Sequence, residues 1–410
     1  MKLSFMRMLE RHLGTALLRL VSLARLPVRL LRRAPAAGAP TRPVRTVLVQ
    51  KYFGVGSIFC AIPLLDLLRK AYPEARIVIL TFAANRPFLE IIARADEILT
   101  VDSRHLGRFI LDNLQNLFRL RSLGVDVSID LEFFTNYSML VSYLSGAPVR
   151  SGFSAYHLAR GELLTHPAPL NHYKHITRAF LATAQSLGLP VPEEVERIDL
   201  PRQGAEARRA ARGMAGAGEG GPLVVVNPNA SDLCHMRRWP GERFAELMLR
   251  LAERMPEARF ALVGSPAEKA YVDSVAAQCA PLAERLTNLA GRTSLRQLLA
   301  LLEACDLFVS NDSGPAHLAA GFQTPSLVLF GPETPTLYRP INANCRIAYK
   351  NLYCSPCINV LDNKNFETCR NVACMRSITV ADALARLEDM LPRSGAATHA
   401  ATDKLERLSA

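Results

Sequence analysis

Two patterns of hydrophobic positions alternate along this chain. Short unbroken apolar runs, such as Thr46-Val47-Leu48-Val49 and Leu307-Phe308-Val309, are each followed by a stretch in which apolar residues recur at helical spacing. The runs read as strands buried on both faces, and the periodic stretches as amphipathic helices. The pattern predicts strands at Val44–Val49, Arg76–Leu80, Glu97–Val101 and Val125–Leu131, with helices over Ile62–Ala71, Phe109–Leu120 and Lys174–Leu187. It then repeats. Strands are predicted at Leu223–Val226, Arg259–Val263, Leu307–Ser310 and Ser326–Phe330. Helices are predicted over Gly241–Arg254, Ala267–Cys279 and Leu295–Ala304, with a further start at Pro315–Ala320. Strands alternating with helices mean a parallel, doubly wound α/β sheet. Two such halves imply two facing Rossmann-like domains, 44–200 and 222–392, with a cleft between them and chemistry in the loops beyond the strands' carboxyl ends. Between them, 201–221 has many Gly, Ala and Arg residues without periodicity and reads as a linker; 393–410 reads as a tail.

The N-terminal segment 1–43 follows neither pattern. Arg7, Arg11, Arg25, Arg29, Arg32 and Arg33 fall on one side of a helical wheel, largely opposite Leu9, Leu13, Leu17, Leu20, Leu23 and Leu31. Residues 1–45 hold ten Lys/Arg against one acid, Glu10, so +9 of the chain's net +12 lies there and only +3 in the rest. A nearly balanced body is no nucleic-acid binder. The arginines interrupt the segment too often for a transmembrane span, and Pro27 would kink it. It also lacks the apolar core and cleavage site of a secretory signal. It reads as an amphipathic helix on an anionic membrane surface; the alternatives are a helix packed on its own protein and a partly disordered arm.

Two loops carry candidate chemistry. In Lys51-Tyr52-Phe53-Gly54-Val55-Gly56-Ser57-Ile58-Phe59 a strand, a glycine turn and a helix succeed one another as in a phosphate-binding loop. The third glycine that close helix packing requires in a dinucleotide-binding motif is absent, which argues against a nicotinamide-dependent oxidoreductase. The second loop, Asn311-Asp312-Ser313-Gly314, ends a buried strand where a helix begins near Pro315. Asp312 or Ser313 can cap that helix, and its free N–H groups suit a phosphate, with His317 in reach; the plain alternative is an N-cap with nothing bound.

The block from Ser310 to Pro332, with the helix-rich stretch before it, closely resembles glycosyltransferase family 9, the lipopolysaccharide heptosyltransferases that use ADP-heptose as donor. The resemblance extends to Asn227–Leu247, Leu262–Val275 and Ile62–Ile77, and covers roughly residues 45–390. It implies the GT-B architecture of two Rossmann-like domains and an enzyme that needs no bound metal or cofactor, an ADP-sugar being the donor substrate. It places Asp312, Ser313, Gly314 and His317 at the donor's sugar and diphosphate, with Asn229, Ser231 and Arg237 across from them. Arg237 stands where the family usually has Lys. Arg is a good diphosphate partner because its planar fork makes two parallel charge-assisted bonds. Arg238 is the alternative to Arg237, and Glu268 a candidate for the ribose hydroxyls.

The first half departs from the family. There an aspartate after a glycine is taken as the base for the acceptor hydroxyl; this chain has Ser57 at that position, a version that reads as a subgroup. Serine cannot accept a proton at neutral pH unaided. The strand end Val127–Glu132 puts Asp130 and Glu132 on one face. Glu132, nearer the loop, is the preferred base and Asp102 the reserve; the alternative is that Glu132 caps a helix or pairs with Arg150. Gly54 and Gly56 then form an acceptor-side turn.

Cysteines and histidines change this picture little. Cys354, Cys357, Cys369 and Cys374 have the count of a four-thiolate zinc site, but the second spacing is only acceptable and knuckle glycines are absent, so structural cysteines are expected over a metal. His166, His172 and His175 are irregularly spaced, which favours loop or acceptor-side packing; Tyr173 and Lys174 are available to an anionic acceptor. The expectation is an inverting glycosyltransferase, cytoplasmic and peripheral on the inner face of the cytoplasmic membrane. It would move a heptose-like sugar to a lipopolysaccharide-core or other lipid-linked acceptor. The alternative is a catalytically silent nucleotide-sugar-binding or scaffold protein of the same fold, which the loss of the aspartate would permit.

Overall fold

The computed structural model describes residues 42–133, 135–154, 159–218, 220–230, 234–358 and 369–391. Nearly all of the basic segment 1–43, Ser231 and the tail 393–410 lie outside the described residues. Two compact units are present: residues 42–201 with Thr336–Ile341, and Arg202–Pro335 with Asn342–Cys357 and 369–391.

The first unit runs β1 (Thr46–Gln50), α1 (Val55–Cys60), α2 (Ile62–Ala71), β2 (Arg76–Phe82), α3 (Arg86–Ile92), β3 (Glu97–Val101), α4 (Leu106–Leu123), β4 (Val127–Asp130), α5 (Tyr137–Leu144), β5 (Val149–Ser154), β6 (His166–Pro169) and α6 (Ile176–Gln185). Its sheet has the order β3-β2-β1-β4-β5-β6, with every pairing parallel. All five residues of β1 are buried, as helices on both faces require. β5 and β6 went unseen in the sequence because Arg150, Gly152, Pro167 and Pro169 break the apolar signal. Proline survives in β6 because that strand lies at the sheet's edge, where a lost ladder bond faces no partner.

The second unit opens with α7 (Ala205–Met214), where the sequence had no helical signal. Its packing explains why: Ala211 is its one buried residue, and polar anchors stand in for an apolar face. Arg208 and Arg202 reach Glu303 Oε1 at 3.0 and 3.2 Å, and Arg212 donates to the Ala304 carbonyl at 2.8 Å. There follow β7 (Leu223–Asn227), α8 (Gly241–Arg254), β8 (Arg259–Leu262), α9 (Lys269–Ala277), β9 (Leu286–Asn288), α10 (Leu295–Ala304), β10 (Leu307–Asn311), α11 (Gly314–Ala320), β11 (Ser326–Leu329) and β12 (Cys345–Ala348). The order β9-β8-β7-β10-β11-β12, again wholly parallel, repeats that of the first sheet. Strand order therefore reverses at β1/β4 in one unit and at β7/β10 in the other, and these switch points are where ligands of such sheets bind.

Candidate functional site

At the first switch point β1 runs into Lys51, Tyr52 and Phe53, and then turns at Gly54, whose φ is +79° with open space around a would-be Cβ. That left-handed backbone suits glycine alone. Gly56 and Ser57 already lie inside α1, so only one of the two glycines makes the turn. Glu132, two residues beyond β4, closes over this loop. Its Oε1 accepts from Lys51 Nζ at 2.7 Å, from the Tyr52 N–H at 2.7 Å and from the Phe53 N–H at 3.2 Å. The carboxylate is fully buried, and Oε2 has no hydrogen-bond partner among the described residues. Asp130 fixes the bend: its Oδ1 accepts the Glu132 N–H at 3.0 Å and its Oδ2 the Ser138 hydroxyl at 2.8 Å.

Arg150 donates instead to the carbonyls of Leu163 and Ala147. Asp102 is gripped by Arg104, whose hydrogen bonds hold the carboxyl well below the usual carboxylate range and make it a poor proton acceptor. Of the histidines, His166 lies in β6, and His175 caps α6. The His175 Nδ1 accepts the Thr177 N–H at 3.2 Å and its Nε2 donates to the Arg339 carbonyl at 2.9 Å, a neutral ring that agrees with burial lowering its pKa. Tyr173 and Lys174 are exposed.

The second switch point is organised by Asn311, the last residue of β10. Its side-chain amide donates to the carbonyls of Pro228 at 2.9 Å and Asn229 at 3.1 Å, and its Oδ1 accepts the Trp239 N–H at 2.9 Å. Trp239 is fully buried, packs edge-on against Phe244 and donates from Nε1 to the Ile378 carbonyl at 2.9 Å. The Trp-Pro pattern therefore clamps the loop that carries the arginines. Held this way, Arg237 reaches Asp312 Oδ2 at 2.9 Å, while Arg238 lies 4.6 Å from the centre of the Tyr271 ring. The sequence did not separate these two cations; packing does.

Donors and acceptors are left over here. Asn229 donates to Asn227 Oδ1 and to the Val263 carbonyl, both at 3.0 Å, but its own Oδ1 is buried and unpartnered among the described residues. So are Arg237 Nε and Arg238 Nε. Buried polar atoms without partners are rare and mark a place where a polar ligand fits. Ser313 bonds Ser310 Oγ at 2.8 Å and Asn227 Nδ2 at 3.2 Å, and Gly314 and His317 lie in α11. Glu268 closes a capping box with Ser265, its Oε2 accepting the Ser265 N–H at 2.8 Å.

Glu333 is a member of this site that sequence reasoning missed, one residue past the recognised block. It is buried beside Asp312, and burial first, then the Asp312 charge, push its carboxyl up to about 8. Near neutral pH it is a protonated acid, able to donate. Its signal in the sequence was only a charged residue directly after Gly331-Pro332. A Cβ at Gly331 would collide with Met375 Sδ, so a larger residue there would force the buried Met375 side chain to move. Of the four clustered cysteines, Cys354, Cys357 and Cys369 are exposed and Cys374 is buried. Among the described residues no three of His, Cys, Asp or Glu are arranged to hold a metal.

Comparisons with known proteins agree with this fold. The family model described as glycosyltransferase family 9 (heptosyltransferase) matches residues 118–365. Lipopolysaccharide heptosyltransferase 3 of Escherichia coli K12 is 26% identical over 349 residues, covering 82% of this chain and 95% of its own. The solved structure of E. coli ADP-heptose lipopolysaccharide heptosyltransferase II superposes with a TM-score of 0.66 at 22% identity, over 84% of this chain and 98% of its own. A family 9 glycosyltransferase from Veillonella parvula gives 0.69 at 20% identity, over 86% and 99%. With a family model spanning more than half its length and the same two-unit parallel α/β fold, the chain belongs to glycosyltransferase family 9.

Proposed function

We propose that this protein is an inverting glycosyltransferase. It transfers a heptose-like sugar from ADP-heptose to a hydroxyl of the lipopolysaccharide core or another lipid-linked glycan, on the inner face of the cytoplasmic membrane. The curated relatives that match most of this chain are named lipopolysaccharide heptosyltransferases. The observation that carries the reading is the set of buried, unpartnered polar atoms at the second switch point: Asn229 Oδ1, Arg237 Nε and Arg238 Nε.

In this reading the second unit holds the donor. Arg237, fixed in place by Asp312, offsets the charge that gathers on the departing diphosphate, and Arg238, stacked over Tyr271, is the alternative cation. Ser313, Gly314 and His317 line the same loop, and Glu333, neutral near pH 7, donates to a donor oxygen. The first unit accepts the proton. Glu132 does so through Oε2, its unpartnered oxygen, while Lys51 holds Oε1 in place. Ser57, in the first turn of α1, orients the acceptor, and Gly54 and Gly56 let it approach the backbone. No metal or resident cofactor enters the scheme.

One observation favours the catalytically silent reading instead: three donors already occupy Glu132 Oε1 and the side chain is fully buried. The full-length protein screened against ADP-, UDP- and GDP-sugars tests the donor assignment. ADP-heptose is expected to raise the melting temperature, and no shift with any of them sinks the reading. Glu132→Gln then separates enzyme from binder. Lost transfer with donor binding intact supports the base, whereas a wild-type protein that binds ADP-heptose and transfers to no lipopolysaccharide-core acceptor is the silent form.

A further inference from the structure

We infer that the outer face of α4 is a membrane-docking surface for anionic lipid, separate from the basic N-terminal segment. This helix spans Leu106–Leu123 and packs one face on β3. Leu106, Ile110, Leu114 and Phe118 follow one another four residues apart, so they form a single ridge, with Leu111 beside it. They are 44, 51, 51 and 75% exposed, and Leu111 45%. Isolated exposed apolar residues need no explanation, but a continuous ridge along a whole helix does.

Charge selects the occupant. The helix carries Arg108, Arg119 and Arg121 against Asp112, and Glu97 of β3 pairs with Arg119 at 2.8 and 3.0 Å, which leaves these five groups a net +1. Asp112 is buried on the inner face, where it accepts the Asp102 N–H at 2.9 Å and Arg108 Nε at 2.8 Å. The exposed residues of α4 are therefore the apolar ridge, the three arginines, Gly107, Gln115 and Ser122, with no acid among them, the chemistry of a helix lying at the surface of an anionic bilayer. The basic segment 1–45 has the same sign and suits the same lipid.

The inner side of α4 leads to the first switch point. Phe109 packs on Tyr137 with ring centres 5.3 Å apart, and Tyr137 on Tyr52 at 5.2 Å. Tyr137 also donates to Asn113 at 2.5 Å, and the Tyr52 N–H is one of those held by Glu132. A bilayer on the outer face of α4 thus lies one helix and one aromatic layer away from the loop assigned to the acceptor. The purpose of the surface rests on the lipid-linked acceptor reading, but its existence does not.

The test is Phe118→Trp in the full-length chain, with vesicles of phosphatidylglycerol and phosphatidylethanolamine whose acyl chains are brominated. The chain's single tryptophan, Trp239, is fully buried in the other unit and supplies a constant background. The variant's added emission is expected to shift to the blue and be quenched at least twofold. Adding Ile110→Asp and Leu114→Asp is expected to remove that quenching. Emission unchanged by the vesicles overturns the inference, whether or not the protein sediments with them. So does a blue shift without lipid: alongside a dimer mass it means a second copy covers the face, and in a monomer it means a segment of this chain does. Binding of ADP-heptose by the same variants stays at the wild-type level, so failure here is distinguishable from failure of the donor assignment.

Discussion

The two switch points are built to one plan and used in two ways. Each lies where the strand order reverses, and each pairs a carboxylate with a cation: Glu132 with Lys51 at 2.7 Å, Asp312 with Arg237 at 2.9 Å. In the first unit the pair is buried, with side-chain exposures of 0 and 4%; Lys51 and two N–H groups of the loop fill Oε1, and Oε2 is left without a partner among the described residues. In the second, Arg237 keeps 18% of its side chain exposed, and spare polar atoms on Asn229, Arg237 and Arg238 point to a missing partner. A carboxylate–cation pair at a switch point is therefore not a site in itself. What matters is which atoms it leaves over: a carboxylate oxygen that can accept in the first unit, and mainly cationic donors in the second.

The comparison breaks most visibly at Lys51. Lys51→Met leaves a buried carboxylate without its cation, and should cost about 3–5 kcal/mol in chemical denaturation while donor affinity stays within about twofold. A loss below about 1 kcal/mol would mean that the first pair is as open as the second.

Glu333 gives the next effect, through pH. Its native carboxyl is raised from 4.5 to about 8, so between those values the native state keeps a proton that the unfolded chain releases. The unfolded state then binds fewer protons, and stability falls as pH rises through that window. Glu333→Gln has no such proton and should flatten the fall by up to about 5 kcal/mol, read as melting temperature against pH. Identical slopes in parent and variant would show that Glu333 ionises freely.

The smallest effect concerns binding alone. Arg237→Gln should weaken ADP-heptose by about 30–100-fold, roughly 2–3 kcal/mol for a charged hydrogen-bonding group, in a calorimetric titration. Undiminished affinity would move the donor to Arg238 or away from this loop.

Much of this was legible beforehand, for reasons that can be named. Asp312, Arg237 and the Trp239 loop lie in contiguous stretches whose motif carries its own geometry: a strand end, a tight turn and a clamping tryptophan. The first site was less legible because its partners are distant in sequence. Glu132 was preferred as the base, with a helix cap or a pairing with Arg150, a nearby charge, as the alternatives, whereas its partner is Lys51, brought in by the parallel pairing of β1 with β4. Helix α7 was missed because it is anchored by Glu303 rather than by an apolar stripe, and β6 because edge strands tolerate the proline that signals a loop elsewhere.

The sequence by itself determined the alternation of buried strands and amphipathic helices, its repetition, and the family, because hydrophobic period and turn chemistry are local properties of the chain. Only the tertiary structure decided which charges meet and which stay unsatisfied. It closed Glu132 onto Lys51, separated Arg237 from Arg238, raised the Glu333 carboxyl beside Asp312 and left the ridge of α4 uncovered. Those outcomes depend on burial and on neighbours far along the chain, and no local pattern encodes either.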